Sequence, residues 1–394
     1  MNDEIFARYQ VNWNYPTSIR FGVGCIKQLP EMCRALGMTK PLLVTDRGLG
    51  RMSFIQSIVE VNSQVGLETA IFCDIKSNPT GDNVDAGVVT YKAGQHDGVI
   101  AIGGGSALDA AKAIALMVGQ ERPLWDFEDV GDNWTRVNEA GMAPCIAIPT
   151  TAGTGSEVGR ASVITDEHAH VKRIIFHPKM LPEKVVIDPE LTVGLPANIT
   201  AATGMDALSH CMEAYCAPGY HPMADGIAVE GMRLIKQWLP IAFQEPANLE
   251  ARGNMLVASA MGATAFQKGL GAMHALAHPL GALYDAHHGL LNAILMPYVL
   301  SANRETIVDS MSCLARCLSL EDESVDGVMN WILELRKRLS IPHSLADIGV
   351  DSTQLDMIAK MATEDPSAGG NPIAFSVNQY REILECAVSG NEKF

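Results

Sequence analysis

Between about residues 40 and 190 the chain alternates short apolar runs with segments of helical spacing, and this alternation limits the possible folds more than any other feature. PLLVTD, ETAIFCD, GVIAIGGG, PCIAIPTT and KVVIDP are brief, rich in β-branched residues and bounded by Asp, Gly or Pro, so each reads as a buried strand. LPEMCRALG, FIQSIVEVNSQVG and SALDAAKAIALMVG carry helical spacing and end in glycine, the usual C-terminal stop. Strands joined through crossover helices pair in parallel and are covered on both faces. The first half is therefore expected to be an α/β, Rossmann-like parallel-sheet domain.

The character changes after Pro196. ANITAATGMDALSHCMEAYC, MADGIAVEGMRLIKQWLPIAF, residues 255–266, VDGVMNWILELRKRLS and REILECAVSG are rich in Ala, Leu and Met at helical spacing, with no convincing strand among them. An all-α second domain follows, and VIDPELTVGLP, dense in Asp, Pro and Gly, is the natural hinge. The expected division is a dinucleotide-binding α/β domain over 1–190 and a helical domain over 191–394. Length agrees, because 394 residues exceed the roughly 250 to 300 at which a single core stops growing.

Composition excludes several functions. With 29 basic against 45 acidic residues the formal charge is −16, which opposes binding to nucleic acid or an anionic membrane surface. MNDEIFARYQ carries Asp3 and Glu4 and no apolar core, so no secretory signal is read there. The most apolar window, DGVIAIGGGSALDAAKAIALMV, is interrupted by three glycines, Asp109 and Lys112, and does not suit a bilayer span. Nine cysteines lie scattered with no CxxC, which predicts reduced thiols in a cytoplasmic protein.

Two turns suggest a phosphate ligand. Gly103, Gly104, Gly105 and Ser106 lie where a strand should pass into a helix, the setting in which backbone N–H groups and a helix N-terminus hold a diphosphate. The bland alternative is a tight turn that needs positive φ. PTTAGTGSE supplies Thr150, Thr151, Thr154 and Ser156 at the end of another strand, and open α/β sheets bind ligands beyond those ends. Asp46 closes the first strand of this domain, where an acid accepts hydrogen bonds from an adenosine ribose and repels a 2′-phosphate; a turn-forming cap is the alternative.

The stretch GAMHALAHPLGALYDAHHG holds four of the eleven histidines. His274 and His278 are four residues apart, as are Asp206 and His210 in GMDALSH, so on helices each pair shares one face. His288 follows beyond a turn-like stretch. A carboxylate with imidazoles suits Fe, Zn, Co or Ni, and the absence of thiolates argues against a structural zinc. One histidine alone is more often a satisfied core residue, but several in apolar segments are costly to bury without a partner.

In GGGSALDAAK, PTTAGTGSEV, GMDALSHCMEAY and HALAHPLGALYDAHHG the chain resembles the iron-containing, group III alcohol dehydrogenase family. The resemblance runs from FGVG near Gly22 to NPI near Asn371. It implies a fold like that of dehydroquinate synthase, with a Rossmann-like domain, a helical domain and an active site in the cleft between them. It also implies NAD as cofactor, an Fe2+ ion with Zn2+ suited to the same donors, an alcohol or aldehyde substrate, and a homo-oligomer, dimer or larger. The implied metal ligands are Asp206, His210, His274 and His288. His278 falls where the family has a residue beside the nicotinamide that helps move the alcohol proton, and His287 matches no family role. Asp46, Asn78 in SNPT, Gly103 to Ser106 and the hydroxyls of PTTAGTGSE fall on cofactor positions.

FQKGLG and SEV-x-R resemble the members that oxidise 4-hydroxybutyrate, in which Arg160 and Lys268 would hold a substrate carboxylate. Arg160 pairing with an acid and Lys268 facing solvent are the plainer readings. Two rival reactions deserve weight. A sugar-phosphate cyclase would want Glu in place of Asp206 and more bases, and a metal-free maleylacetate reductase would lack the intact ligand set.

Overall fold

The computed structural model describes residues 11–13, 17–169 and 171–391; the N-terminal MNDEIFARYQ lies outside them. Seven strands form one sheet: β1 (Val11–Trp13), β2 (Ser18–Phe21), β3 (Leu42–Val44), β4 (Ala70–Phe72), β5 (Val99–Gly103), β6 (Cys145–Pro149) and β9 (Lys184–Ile187). Their spatial order is β1-β2-β9-β6-β5-β3-β4, antiparallel only between β1 and β2. The five strands read from the sequence are β3, β4, β5, β6 and β9. Every residue of β3, β5 and β6 is buried, as a strand covered on both faces requires.

Four helices serve this sheet: α1 (Leu29–Ala35), α2 (Ser53–Gln64), α3 (Gly81–Gly94) and α4 (Gly105–Met117). Helix α3 escaped the sequence reading because glycines dilute its apolar face. Its start is marked by a capping box, in which the Thr80 hydroxyl accepts from the Asn83 amide and the Asn83 side chain accepts from the Thr80 amide. A separate antiparallel pair, β7 (Ala161–Asp166) and β8 (Val171–Phe176), also went unread. β7 alternates buried and half-buried positions, but Lys172 and Arg173 break the apolar run of β8.

The remaining helices are α5 (Ala197–Cys216), α6 (Pro222–Gln244), α7 (Leu249–Ala265), α8 (Ala272–Tyr284), α9 (His288–Ala302), α10 (Arg304–Cys317), α11 (Val325–Arg338), α12 (Leu355–Glu364) and α13 (Val377–Ser389), with no strand among the described residues of this half. Helix α5 is the axis of their core. It packs against α6, α7 and α9 and is buried along most of its length, as expected of a helix that is apolar nearly all round. Leu208, Met212, Ile235, Leu276 and Leu295 lie in one continuous cluster. No helix among the described residues is long and apolar enough to cross a membrane.

By internal packing the chain divides into two compact units. One contains the described residues up to Thr151 together with Gly155–Val193; the other contains Ala152–Thr154 and everything described from Gly194 onward.

The sheet unit holds a largely buried polar quartet on and beside α4. Lys112 Nζ lies 3.2 Å from Asp109 Oδ1 and also donates to the Ala161 carbonyl. Asp109 accepts from Ser156 Oγ at 2.5 Å and from the Val163 amide at 2.9 Å. Beside them Glu157 is buried, with no hydrogen-bond partner for its Oε1 among the described residues. Burial pushes the Glu157 carboxyl up to about 7, against the pull of Lys112. The folded state then holds this proton more tightly than the unfolded chain, so the contribution is full below the ordinary carboxyl value of 4.5 and declines as pH rises towards about 7. Glu157→Gln is expected to flatten that loss, worth on the order of 3 kcal/mol between about pH 5 and about pH 8, in denaturant titrations of the two proteins.

Candidate metal centre and dinucleotide turn

In the sheet unit, strand order reverses between β3 and β5, the position at which open α/β sheets leave a crevice at the carboxyl edge. Three of the predicted cofactor segments start at the carboxyl ends of adjacent parallel strands: Asp46 after β3, Gly103 at the end of β5 and Thr150 after β6. Gly103 has φ +148, and a Cβ there would lie 2.7 Å from Ala107 Cβ and 3.8 Å from Asp46 Oδ2, so only glycine fits and the acid stands beside the turn. Gly104, at the start of α4, has no side-chain cap, which leaves the first amides of that helix open to an anion. A Cβ on Gly104 would be 3.4 Å from the Thr151 side chain. Ser106 Oγ donates to the Ser77 carbonyl, tying the loop that carries Asn78 to the same turn.

Two of these residues have local duties as well. Asp46 Oδ1 accepts from the Gly48 and Leu49 amides at 2.8 and 2.9 Å, the turn-forming role weighed above, which leaves Oδ2 towards Gly103. The Ser156 hydroxyl is given to Asp109. Thr154 belongs to the segment counted with the helical unit.

Asp206 and His210 stand one turn apart on α5, His274 and His278 one turn apart on α8, and His288 begins α9. Ligand atoms of Asp206, His210 and His274, all buried, lie within 4.8 Å of one another. The His210 and His274 rings stack at 4.8 Å, and the His288 ring lies 5.2 Å from that of His274. His288 Nε2 is 3.7 Å from Asp206 Oδ1. The starts of α9 and α5's middle meet closely at Gly289, where a Cβ would be 2.5 Å from the Ala202 carbonyl oxygen and 3.0 Å from Asp206 Cβ. Burial pushes the His210 imidazole down to about 4, so it is neutral at pH 7 and has a lone pair to give.

Three side chains at this site went unnamed in the sequence reading. Glu213, one further turn along α5, accepts from the Met273 amide at 2.7 Å and lies 2.6 Å from His274 Nδ1. It therefore favours the tautomer that carries its proton on Nδ1 and leaves Nε2 bare. Burial works to lower the His274 imidazole, but Glu213 together with Asp206 and Asp365 outweighs it and the net shift is upward. Asn292 Nδ2 lies 2.9 Å from Asp206 Oδ1 and 3.2 Å from both His274 Nε2 and His288 Nε2. Asp365 Oδ2 is 2.8 Å from His278 Nδ1. Glu213 follows His210 by three residues and Asn292 follows His288 by four, spacings that share a helix face, so both could have been found from helical periodicity. Asp365 had no local signal, lying 87 residues from His278.

The donor count explains what this set can hold. One carboxamide nitrogen carries two protons, yet three acceptor atoms converge on it in a buried space. A carboxylate and three imidazoles short of protons match a divalent cation with O and N ligands. His278 is not part of the cluster formed by Asp206, His210 and His274, and Asp365 orients its ring through Nδ1. His287 lies at the N-cap of α9, its Nδ1 3.4 Å from the Leu290 amide.

The two basic residues considered for substrate binding stand in separate units. Arg160 is exposed, with its guanidinium carbon 5.7 Å above the Phe176 ring. Lys268 is mostly buried and paired to Asp225 Oδ1 at 2.5 Å, so it does not simply face solvent and its charge already has a partner.

The chain is similar to known proteins over most of its length. Residues 16–189 match the family described as iron-containing alcohol dehydrogenase, and residues 200–388 match the C-terminal part of the Fe-containing alcohol dehydrogenase family. A 4-hydroxybutyrate dehydrogenase of Cupriavidus necator is 38% identical over 381 residues, covering 94% of this chain and 98% of that one. The crystal structure of a 1,3-propanediol oxidoreductase superposes with a TM-score of 0.88 at 35% identity, covering 93% of this chain and 96% of that one. A sulfoacetaldehyde reductase from Bifidobacterium kashiwanohense, solved in complex with NAD+, does so with a TM-score of 0.86 at 29% identity over 95% and 97%.

Removing the charge that orients His274 is expected to loosen the metal. Glu213→Gln should cost about 10- to 100-fold in metal affinity, read by chelator competition on protein loaded with a single divalent ion. An unchanged affinity would show that the Glu213 carboxylate is dispensable to the site.

Proposed function

The chain belongs to the iron-containing alcohol dehydrogenase family, and on that premise we propose that it transfers hydride between a primary alcohol and NAD, or from NADH to the corresponding aldehyde. The observation that carries this reading is the convergence of Asp206, His210 and His274 within 4.8 Å, with His288 Nε2 3.7 Å from Asp206. These four would hold the cation: iron, as the family name indicates, with zinc suited to the same donors. When bound, the cation acidifies an alcohol or polarises an aldehyde, and the nicotinamide accepts or gives the hydride.

The protein's own groups supply position and proton traffic. Asp206 contributes one negative charge and the imidazoles none, so the set leaves a net positive charge towards substrate oxygen. Glu213 keeps His274 Nε2 free for its ligand role. His278 has Nδ1 committed to Asp365, which leaves Nε2 to take the alcohol proton while Asp365 stabilises the resulting imidazolium. Burial works to raise the Asp365 carboxyl, but His278 and Ser367 hold it below the usual range, as an anion suited to this task. The glycine turn, Asn78 and the hydroxyls of Thr150, Thr151, Thr154 and Ser156 form the dinucleotide site, with Asp46 facing the ribose and favouring NAD over NADP. Support for NAD also comes from the relative solved with NAD+.

For the substrate we favour an ω-hydroxy acid such as 4-hydroxybutyrate, in keeping with the Cupriavidus necator relative. Of the two bases, Arg160 is the one without a carboxylate already on it among the described residues. Cyclase and maleylacetate reductase chemistry are disfavoured by Asp206 and by the complete ligand set. Nine free cysteines support a cytoplasmic setting, and assembly as a dimer or larger rests on the family alone.

Protein purified without oxygen is expected to carry about one divalent ion per chain and to reduce NAD with two- to six-carbon alcohols or ω-hydroxy acids. Asp206→Ala should lose ion and turnover together; retained turnover would sink the reading. Arg160→Ala is expected to lower kcat/KM for 4-hydroxybutyrate and to spare butan-1-ol, and equal losses on both would remove the carboxylate role.

A further inference from the structure

Asn292 lies on α9 four residues after His288, fully buried, at a place where an apolar residue would be the ordinary choice. A buried carboxamide is costly unless its hydrogen-bonding groups are used. Its nitrogen is used heavily, with Asp206 Oδ1 at 2.9 Å and the Nε2 atoms of His274 and His288 at 3.2 Å. Its oxygen has no hydrogen-bond partner among the described residues, so the cost of burying this group is accepted for the sake of the nitrogen.

These three contacts are not equivalent. An imidazole nitrogen that donates its lone pair to a cation has none left for a proton, whereas a carboxylate oxygen has lone pairs enough for both. The hydrogen bond to Asp206 is therefore the one that persists alongside metal ligation. The Asp206 carboxylate has little else to fix its rotation: it accepts no other hydrogen bond among the described residues, and it is the only carboxylate of the set. We propose that Asn292 is a positioning residue of the metal centre, which holds the Asp206 carboxylate in the orientation that completes the ligand set with His210, His274 and His288. Glu213 does the same service for His274 from the other side, so the carboxylate and one imidazole each have a dedicated orienting partner.

This inference rests on the four-ligand reading above, and the experiment separates the two. Wild type, Asn292→Ala and Asn292→Leu are stripped and reloaded with Co2+, and the affinity, the dissociation rate into a chelator and the visible spectrum of the bound ion are measured beside the thermal midpoint. Leu keeps the volume and removes the donor, so it separates the hydrogen bond from packing. Both variants are expected to bind Co2+ about 10- to 100-fold more weakly, with a changed absorption spectrum that reports an altered ligand field. Variants that fold and bind Co2+ with wild-type affinity and spectrum would overturn the role of Asn292 while leaving the metal centre intact. A wild-type protein that binds no cation would overturn both. If Asn292→Ala fails to fold, Asn292→Leu decides the matter by the same measurements.

Discussion

The helical half is governed by one constraint: an acceptor-rich set of side chains buried among apolar helices must find positive charge or protons. Asp206, His210, Glu213 and His274 are each nearly inaccessible to water, and α5, which carries three of them, is surrounded by α6, α7 and α9. Burial on this scale is unfavourable unless every acceptor is answered. The protein answers some of the demand itself through Met273, Asn292 and the Nδ1 proton of His274, and the surplus is what a divalent cation satisfies. The function thus follows from an electrostatic deficit built into a well-packed core.

The sheet half answers a different demand with the same economy. Its carboxyl edge gathers Asp46, the glycine turn and Thr150 because β3, β5 and β6 are neighbours that run the same way. Beneath that edge, Asp109 and Lys112 fasten α4 to Ser156, Ala161 and Val163. GGGS with its following Asp and Lys, and TGSE, therefore have a structural part in this packing, and Ser156 takes that part through its bond to Asp109.

Much of this was legible in the chain alone. Five strands of the sheet, the helices that carry the histidine cluster and the change of character near residue 190 came from periodicity and from glycine and proline stops, which are local signals. β1, β2, β7 and β8 were missed because edge and hairpin strands carry charged residues such as Arg20, Lys172 and Arg173, which hide a short apolar pattern. At the site, Asp206, His210, His274 and His278 announced themselves by spacing, and Glu213 and Asn292 stand at helix-face spacings of three and four from His210 and His288 but were not read as part of it. Asp365 and Asp225 come from distant helices or their ends, so their pairing with His278 and Lys268 was decided by tertiary packing that no short window contains.

The close approach at Gly289 bears on how α9 is seated against α5. A Cβ there would lie 2.5 Å from the Ala202 carbonyl oxygen and 3.0 Å from Asp206 Cβ, so only glycine lets the two main chains come this near and brings His288 towards Asp206. A larger residue at 289 would push the start of α9, and His288 with it, away from α5 and Asp206.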